Sequence, residues 1–391
     1  MSYYQLIMIE RQIVQSIHRL KDKFPVLAVT GPRQSGKSTL LKKIFPTYRY
    51  ISLEDPDNRE FAESDPKGFL KLYSEQVILD EIQRIPNLFS YIQSKVDESK
   101  IMGQYILSGS QNFHLVEKIT QSLAGRVALF KLLPLDFKEL AHHQLLPSRY
   151  IDLMLKGFYP AMYDRQIDPT DFYSNYIQTY VQRDISQLIN IQDLNLFKTF
   201  IQLCAGRSGQ ILNLSALANE CGISQPTVKS WLSILESSFI IFQLQPYFQN
   251  FNKRVIKTAK LYFYDTGLLC FLLRIRDAHA LMTSDYKGAL FENMIIAEFQ
   301  KQNYHNYLHQ DFYFWRDSNG NEVDLLIPNE SGFDIFEIKA SETILKQQFK
   351  GLEYLENIAQ GSVTKKTLIY GGEESQIRTN YSINAWHDLQ N

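Results

Sequence analysis

Gly31-Pro32-Arg33-Gln34-Ser35-Gly36-Lys37-Ser38 satisfies G-x-x-x-x-G-K-[ST] at every constrained position, and its flanks decide the fold. Ahead of it, Phe24-Pro25-Val26-Leu27-Ala28-Val29-Thr30 is a short apolar run with the pattern of a buried strand. Behind it, Ser38-Thr39-Leu40-Leu41-Lys42-Lys43-Ile44 has the outline of a helix start. Strand, loop and helix in that order predict a turn whose glycines let successive N–H groups face a phosphate at a helix N-terminus, where the dipole favours negative charge. A nucleoside triphosphate is therefore expected over Gly31 to Thr39: Lys37 reaching the β- and γ-phosphates, Ser38 ligating Mg²⁺, and Thr39 opening the helix behind it.

Val77-Ile78-Leu79-Asp80-Glu81 is a second apolar run, and it ends in two acids. A buried parallel strand needs consecutive apolar residues, and its carboxyl end is where an open α/β sheet places ligand chemistry. Asp80 is expected to hold Mg²⁺ through its water shell and Glu81 to polarise the attacking water, which predicts hydrolysis beyond binding. Tyr48 to Leu53 reads as a strand running into Glu54-Asp55-Pro56, and Gln104 to Ser110 as another ending in hydroxyls. Ser110 is the chosen sensor of the γ-phosphate, with Ser108, Gln111 and Asn112 left open. In Ser122-Leu123-Ala124-Gly125-Arg126, the arginine precedes the strand Val127 to Phe130. Presented to a neighbouring subunit it would stabilise the transferring phosphoryl group; a surface ion pair is the alternative. Ile9 to Phe24 reads as an amphipathic helix beside the nucleotide, with Ile13, Ile17 and Leu20 near one face and Arg11, Arg19 and Lys21 elsewhere.

At 391 residues the chain is too long for one core, which predicts two or three domains. Lys plus Arg (41) nearly cancels Asp plus Glu (42), so any nucleic-acid surface has to be a local patch. Cys204, Cys221 and Cys270 have neither metal-ligand spacing nor the number for a disulfide framework; they read as buried thiols of a reducing, cytoplasmic compartment. Met1 to Gln12 lacks a signal-peptide core, and Gly267 to Leu273 is too short to span a bilayer, so no membrane partner is expected.

The P-loop, Leu53-Glu54-Asp55-Pro56, Leu79-Asp80-Glu81-Ile82-Gln83, Leu107-Ser108-Gly109-Ser110, Ser122 to Arg126 and Leu133-Pro134-Leu135 together resemble the prokaryotic AAA+-type ATPases with a C-terminal domain of uncharacterised function. The resemblance covers essentially the whole chain. It implies an α/β fold with an AAA+-like parallel-sheet core, ATP rather than GTP, and Arg126 as arginine finger; a finger acting in trans would require at least a dimer or a nucleic-acid-induced assembly. It supplies no substrate. The family's Tyr-rich motif falls at Tyr176, Tyr180, Arg183 and Asp184, within a helix expected over Phe172 to Ile191.

Domain boundaries are expected near 145 and 285: an ATPase core over 1–145, a helical and winged-helix region over 146–285, and an α/β domain over 286–391. Leu214 to Ala218, a turn at Cys221-Gly222-Ile223-Ser224, and Gln225 to Leu235 outline a helix-turn-helix with Ser224 as cap and Pro226 early in the second helix. Extended stretches at Ile240 to Pro246 and Leu261 to Asp265 flank a basic wing carrying Lys253, Arg254, Lys257 and Lys260. Gln225, Thr227, Lys229 and Ser230 would face a major groove while the wing meets phosphates; a structural or protein-contact role is the alternative.

Beyond Gly288 come a helix, strands at Tyr313 to Arg316 and Asn321 to Ile327, and a strand Phe333 to Ala340. Period-2 alternation puts Glu337 and Lys339 on one face, beside Asp324. Two carboxylates can hold Mg²⁺ while a lysine positions water for phosphodiester attack, and Glu292 could complete the ligands. This arrangement is similar to the PD-(D/E)xK nuclease fold, a restriction-endonuclease-like domain, with Asp324, Glu337 and Lys339 at its metal-binding and catalytic positions. The expected function is a Mg²⁺-dependent ATPase acting with DNA. The alternative is an ATP-switched protein-interaction regulator of toxin–antitoxin or defence type with an inactive C-terminal domain.

Overall fold

A computed structural model describes residues 9–110, 121–180, 194–248 and 256–390. Gln111, Asn112, Arg183, Asp184, Lys253 and Arg254 lie outside them. Five parallel strands form the first sheet: β1 (Val26–Thr30), β2 (Arg49–Ser52), β3 (Val77–Asp80), β4 (Tyr105–Gly109) and β5 (Val127–Lys131), in the order β2-β3-β4-β1-β5. β1, β3 and β4 are buried along their whole length because both faces are covered, which is why they read as unbroken apolar runs. Alternation sorts their side chains: Val26, Ala28, Leu79 and Leu107 pack with Phe69, Phe89 and Ile92 on one face. Leu27, Val29, Ile78 and Ile106 pack with Ile13, Ile17, Leu40 and Leu41 on the other.

After a run of helices from Phe137 to Ser237, a second, mixed sheet of eight strands follows, in the order β12-β13-β11-β10-β9-β8-β6-β7. It comprises β6 (Ile241–Pro246), β7 (Lys260–Phe263), β8 (Tyr313–Arg316), β9 (Glu322–Asn329), β10 (Gly332–Lys339), β11 (Val363–Tyr370), β12 (Gln376–Ile377) and β13 (Ser382–Ala385). β8, β9 and β10 pair antiparallel, and β11 returns parallel to β10 after the helix Lys350–Ile358. The hairpin β6–β7 does not stand apart as a free wing. β6 pairs in parallel with β8, Gln245 opposite Tyr313, so the wing strands are fused to the C-terminal sheet. Ile241, Phe242 and Leu244 are buried, and the pairing covers an apolar strand edge that solvent would otherwise meet.

The two short helices before that hairpin follow the expected chemistry. Leu214–Cys221 ends at Gly222, whose φ of 70° suits a residue without Cβ. Ser224 then caps Gln225–Ser237 by accepting from the Thr227 N–H (3.2 Å), with Pro226 in the first turn. Tyr173, Tyr176 and Tyr180 on the helix Pro169–Tyr180 are all buried, and the Tyr159 hydroxyl bonds that of Tyr176 at 2.8 Å. No helix of the described residues is long and apolar enough to cross a membrane, and all three cysteines are buried free thiols.

One element ties the two sheets together. The helix Lys287–His305 is buried over most of its surface, through Leu290, Phe291, Met294, Ile295, Ile296 and Ala297. Of its buried polar residues, Asn293, Glu298 and His305 each have a hydrogen-bond partner from another element, as burial requires. It packs on β7 and β10 as well as on β5 and the first helix, Ile13–Lys21.

Candidate functional site

Gly36 adopts φ 92° as it leads into the helix Lys37–Ile44, a conformation that favours glycine. The Lys37 ammonium donates to the carbonyls of Gly31 (2.9 Å) and Pro32 (2.8 Å). Ser35 Oγ, buried beside Gly31, has no hydrogen-bond partner, an orphaned donor inside the loop that a phosphate oxygen would satisfy. Asp80 lies below this loop, buried at the end of β3. Ser38 Oγ donates to its Oδ2 at 2.8 Å. The Tyr50 hydroxyl donates to the same oxygen and Ser108 Oγ to Oδ1. Burial, and then the hydrogen bond to Asp80, push the Tyr50 phenol up from its usual range.

Glu81 sits at the turn after β3 with a left-handed φ of 55°, and its carboxylate accepts from Gln83 and from Ser110 Oγ (3.3 Å). The two strand-end serines thus divide: Ser108 holds Asp80, Ser110 reaches Glu81. Tyr50 carried no signal in sequence, being one aromatic among many in a short strand; only the β2–β3 pairing, with Ser52 opposite Asp80, brings it there. Arg126 lies elsewhere. It precedes β5, whose first residue pairs with Val26, so the length of β1, about 13 Å at ~3.3 Å per residue, separates it from its own loop. Its guanidinium grips Asp97 (Nε–Oδ1 2.5 Å, Nη2–Oδ2 2.9 Å), which lowers the Asp97 carboxyl below its usual range.

In the second sheet the predicted triad does come together. Lys339 Nζ lies 2.6 Å from Glu337 Oε1 and 3.2 Å from Asp324 Oδ2, and Asp324 Oδ2 also accepts from the Ile338 N–H at 2.8 Å. Glu337 Oε2 is buried without a partner. Burial first, then the charge of Asp324, push the Glu337 carboxyl up to about 8. Asp324 is pushed up by burial too, but Lys339, Lys260 and the Ile338 N–H more than offset it and leave it below the usual carboxylate range.

Glu292 stands at the edge of this cluster, close enough for its charge to act on Glu337 and Lys339, but it is bonded to β7. Its Oε1 accepts from Tyr262 (2.6 Å) and pairs with Lys260 (3.1 Å), both on β7. Among the described residues, the group of three whose ligand atoms all lie within 4.8 Å of one another is Asp136, Glu139 and His305, not Glu292, Asp324 and Glu337. Asp324 and Glu337 fit a divalent cation, since Glu337 carries the orphaned oxygen; Glu292 in this arrangement does not. Lys260 corrects a sequence expectation. It is 2% exposed and pairs with Glu292 and Glu322, so it cannot lie on a basic wing against phosphates. Lys257 and Gln225, Lys229 and Ser230 are exposed, Thr227 half-buried.

Comparison with known proteins divides the chain in three. Residues 23–141 match an AAA domain, 147–279 the domain of unknown function DUF8612, and 287–387 the domain of unknown function DUF4143. Uncharacterized proteins Rv2008c of Mycobacterium tuberculosis and Mb2031c of Mycobacterium bovis are each 31% identical over 339 residues, which cover 85% of this chain and 74% of theirs. An uncharacterized Haemophilus influenzae protein is 24% identical, over 76% of this chain and 80% of its own. Among solved structures, the Walker-type ATPase PABY2304 of Pyrococcus abyssi superposes with a TM-score of 0.46 at 14% identity, over 68% of this chain and 96% of that one. At this extent of identity the chain belongs to the family of Rv2008c and Mb2031c, and its phosphate loop over an acid-ended strand lies in a domain of the AAA, P-loop ATPase type.

Proposed function

We propose that this protein is a Mg²⁺-dependent ATPase whose turnover drives a C-terminal half acting on DNA at a metal-dependent phosphodiester site. The observation that carries the ATPase part is the meeting of Ser38 and Asp80, 2.8 Å apart beneath a loop with an orphaned serine hydroxyl. Ser38 and Asp80 would hold Mg²⁺, which supplies charge neutralisation on the phosphates. Lys37 exchanges its two loop carbonyls for phosphate oxygens. Glu81, oriented by Ser110, polarises the attacking water. Arg126, far from its own loop, acts on a neighbour's nucleotide after release from Asp97.

For the C-terminal half, the support is the helix, antiparallel β8–β9–β10, helix and parallel β11, with Asp324, Glu337 and Lys339 converging on adjoining strands. Asp324 and Glu337 would hold the cation, and Lys339 would position water at the scissile phosphate. The exposed face of Gln225–Ser237 supplies a route to DNA. One observation favours the other reading, an ATP-switched protein-interaction module: Lys339 and Lys260 already neutralise much of the carboxylate charge from inside. Plasmid nicking with Mg²⁺ or Mn²⁺ separates the two. The nuclease reading expects nicking that vanishes in Lys339→Ala while phosphate release from ATP persists; intact plasmid with the wild-type protein overturns it.

A further inference from the structure

Arg11, which the sequence places off the apolar face of the first helix, is buried at its start with a side chain 5% exposed. Each of its guanidinium nitrogens has a partner. Nε pairs with Glu139 Oε2 (2.9 Å), Nη1 donates to the carbonyl of Ser35 (2.8 Å), and Nη2 donates to the carbonyl of Leu133 (2.7 Å) and faces His305 Nε2 at 3.5 Å. His305 Nδ1 is 2.6 Å from Asp136 Oδ2. A carboxylate only accepts, so Nδ1 is the donor there, and Nε2 is left as the acceptor facing Arg11.

Asp136 and Glu139 are held as firmly. Each accepts from the other's backbone N–H in a capping box, and Gln12 donates to both. Their spacing with His305 would suit a cation, but a guanidinium already fills that role. A buried charged network adds little net stability; what it specifies is position.

Two positions are specified. Ser35 belongs to the phosphate loop, and its peptide bond to Gly36 is trans, so a carbonyl fixed toward Arg11 turns the Gly36 N–H the opposite way. His305 ends the helix Lys287–His305, whose other end carries Glu292, about 20 Å away at 1.5 Å per residue. Glu292 is bonded by Tyr262 and Lys260 at the edge of the Asp324, Glu337 and Lys339 cluster. A rigid buried helix thus has one end on the phosphate loop's anchor and the other beside the second site.

We infer that Arg11 is a positioning residue for the phosphate loop and, through His305, the joint by which nucleotide binding is passed along the helix 287–305 to the carboxylate–lysine cluster. The inference rests on the loop being an ATP site. The test uses the full chain, a fluorescent ATP analogue, steady-state hydrolysis and amide hydrogen exchange. In the wild type, saturating nucleotide is expected to change exchange over residues 290–305. Arg11→Lys, which cannot serve four partners, is expected to weaken nucleotide binding about tenfold or more while kcat at saturation changes far less. His305→Leu is expected to keep affinity within about threefold and to lose the nucleotide-dependent exchange change. Three results overturn the inference: wild-type protein that saturates with nucleotide while the helix exchanges unchanged, an Arg11→Lys protein of wild-type affinity, or a His305→Leu protein that keeps the response. Should the variants fail to fold, the wild-type measurement decides alone. A wild type that binds no nucleotide removes the ATP site itself, and this inference with it.

Discussion

Asp80 accepts from three hydroxyls on three different segments, Ser38, Tyr50 and Ser108, and so is aimed at the loop before any ligand arrives. Glu81, one residue on, takes a left-handed backbone conformation and accepts from Ser110. Glu81→Gln should lower the rate of phosphate release about 10²–10⁴-fold with nucleotide affinity retained, and Lys37→Ala should abolish the affinity itself; parallel binding and hydrolysis measurements check both. Another buried carboxyl, with Glu337, makes stability depend on pH. Glu298 is fully buried, Oε1 accepting from the Phe137 N–H (3.0 Å) and Oε2 unpartnered. Burial first, then the charge of Asp136, push its carboxyl up to about 8. A carboxyl raised on folding stabilises fully below its unfolded pKa, and that contribution is lost as pH rises through the folded value. The melting temperature should therefore fall between about pH 5 and 8, and Glu298→Gln, which keeps the Oε1 acceptor, should make the decline shallower while Glu337 keeps its share.

The elements each follow local rules, and those rules decide which substitutions matter. Ser224 satisfies an otherwise free N–H at the start of Gln225–Ser237, so Ser224→Ala should cost about 1 kcal/mol in chemical denaturation, with no effect on ATP hydrolysis. β7 is a harsher case. Burial pushes the Lys260 ammonium down, but Glu292, Glu322 and Asp324 outweigh that and hold it charged. Lys260→Met would leave Glu292 and Glu322 without their buried cation and should destabilise the fold by about 3–5 kcal/mol; a midpoint unchanged in urea would show that the pairs do no such work. The hairpin's two helices, their turn and their caps were legible in sequence because a Ser before Pro226 and a Gly after Cys221 act within a few residues. The fate of β6 was not. Which strand covers its edge depends on β8, nearly seventy residues later in the chain, and local pattern carries no information about it.

At the scale of the molecule, the two sheets share a single helical spine, and the AAA domain presents Arg126 at the end of its sheet away from its own nucleotide loop. An arginine acting on a neighbour implies assembly. Arg126→Ala and Lys37→Ala should each be inactive alone, yet regain part of the hydrolysis rate when mixed, because one supplies an intact loop and the other an intact finger. Mixtures as inactive as their parents would leave Arg126 as the partner of Asp97 alone.

Sequence by itself determined the phosphate loop, the acid-ended strand and the shared face of Glu337 and Lys339. Each of these is set by a fixed offset or a period of two, so the chain need only be extended or coiled for the geometry to follow. Only the tertiary structure decided that Arg11 is buried on the loop, that Tyr50 reaches Asp80, that Lys260 is an internal counter-ion, and that Glu292 answers to β7. Those are charges and hydroxyls whose partners lie tens to hundreds of residues away, and desolvation makes their pairing obligatory once packing has brought them inside.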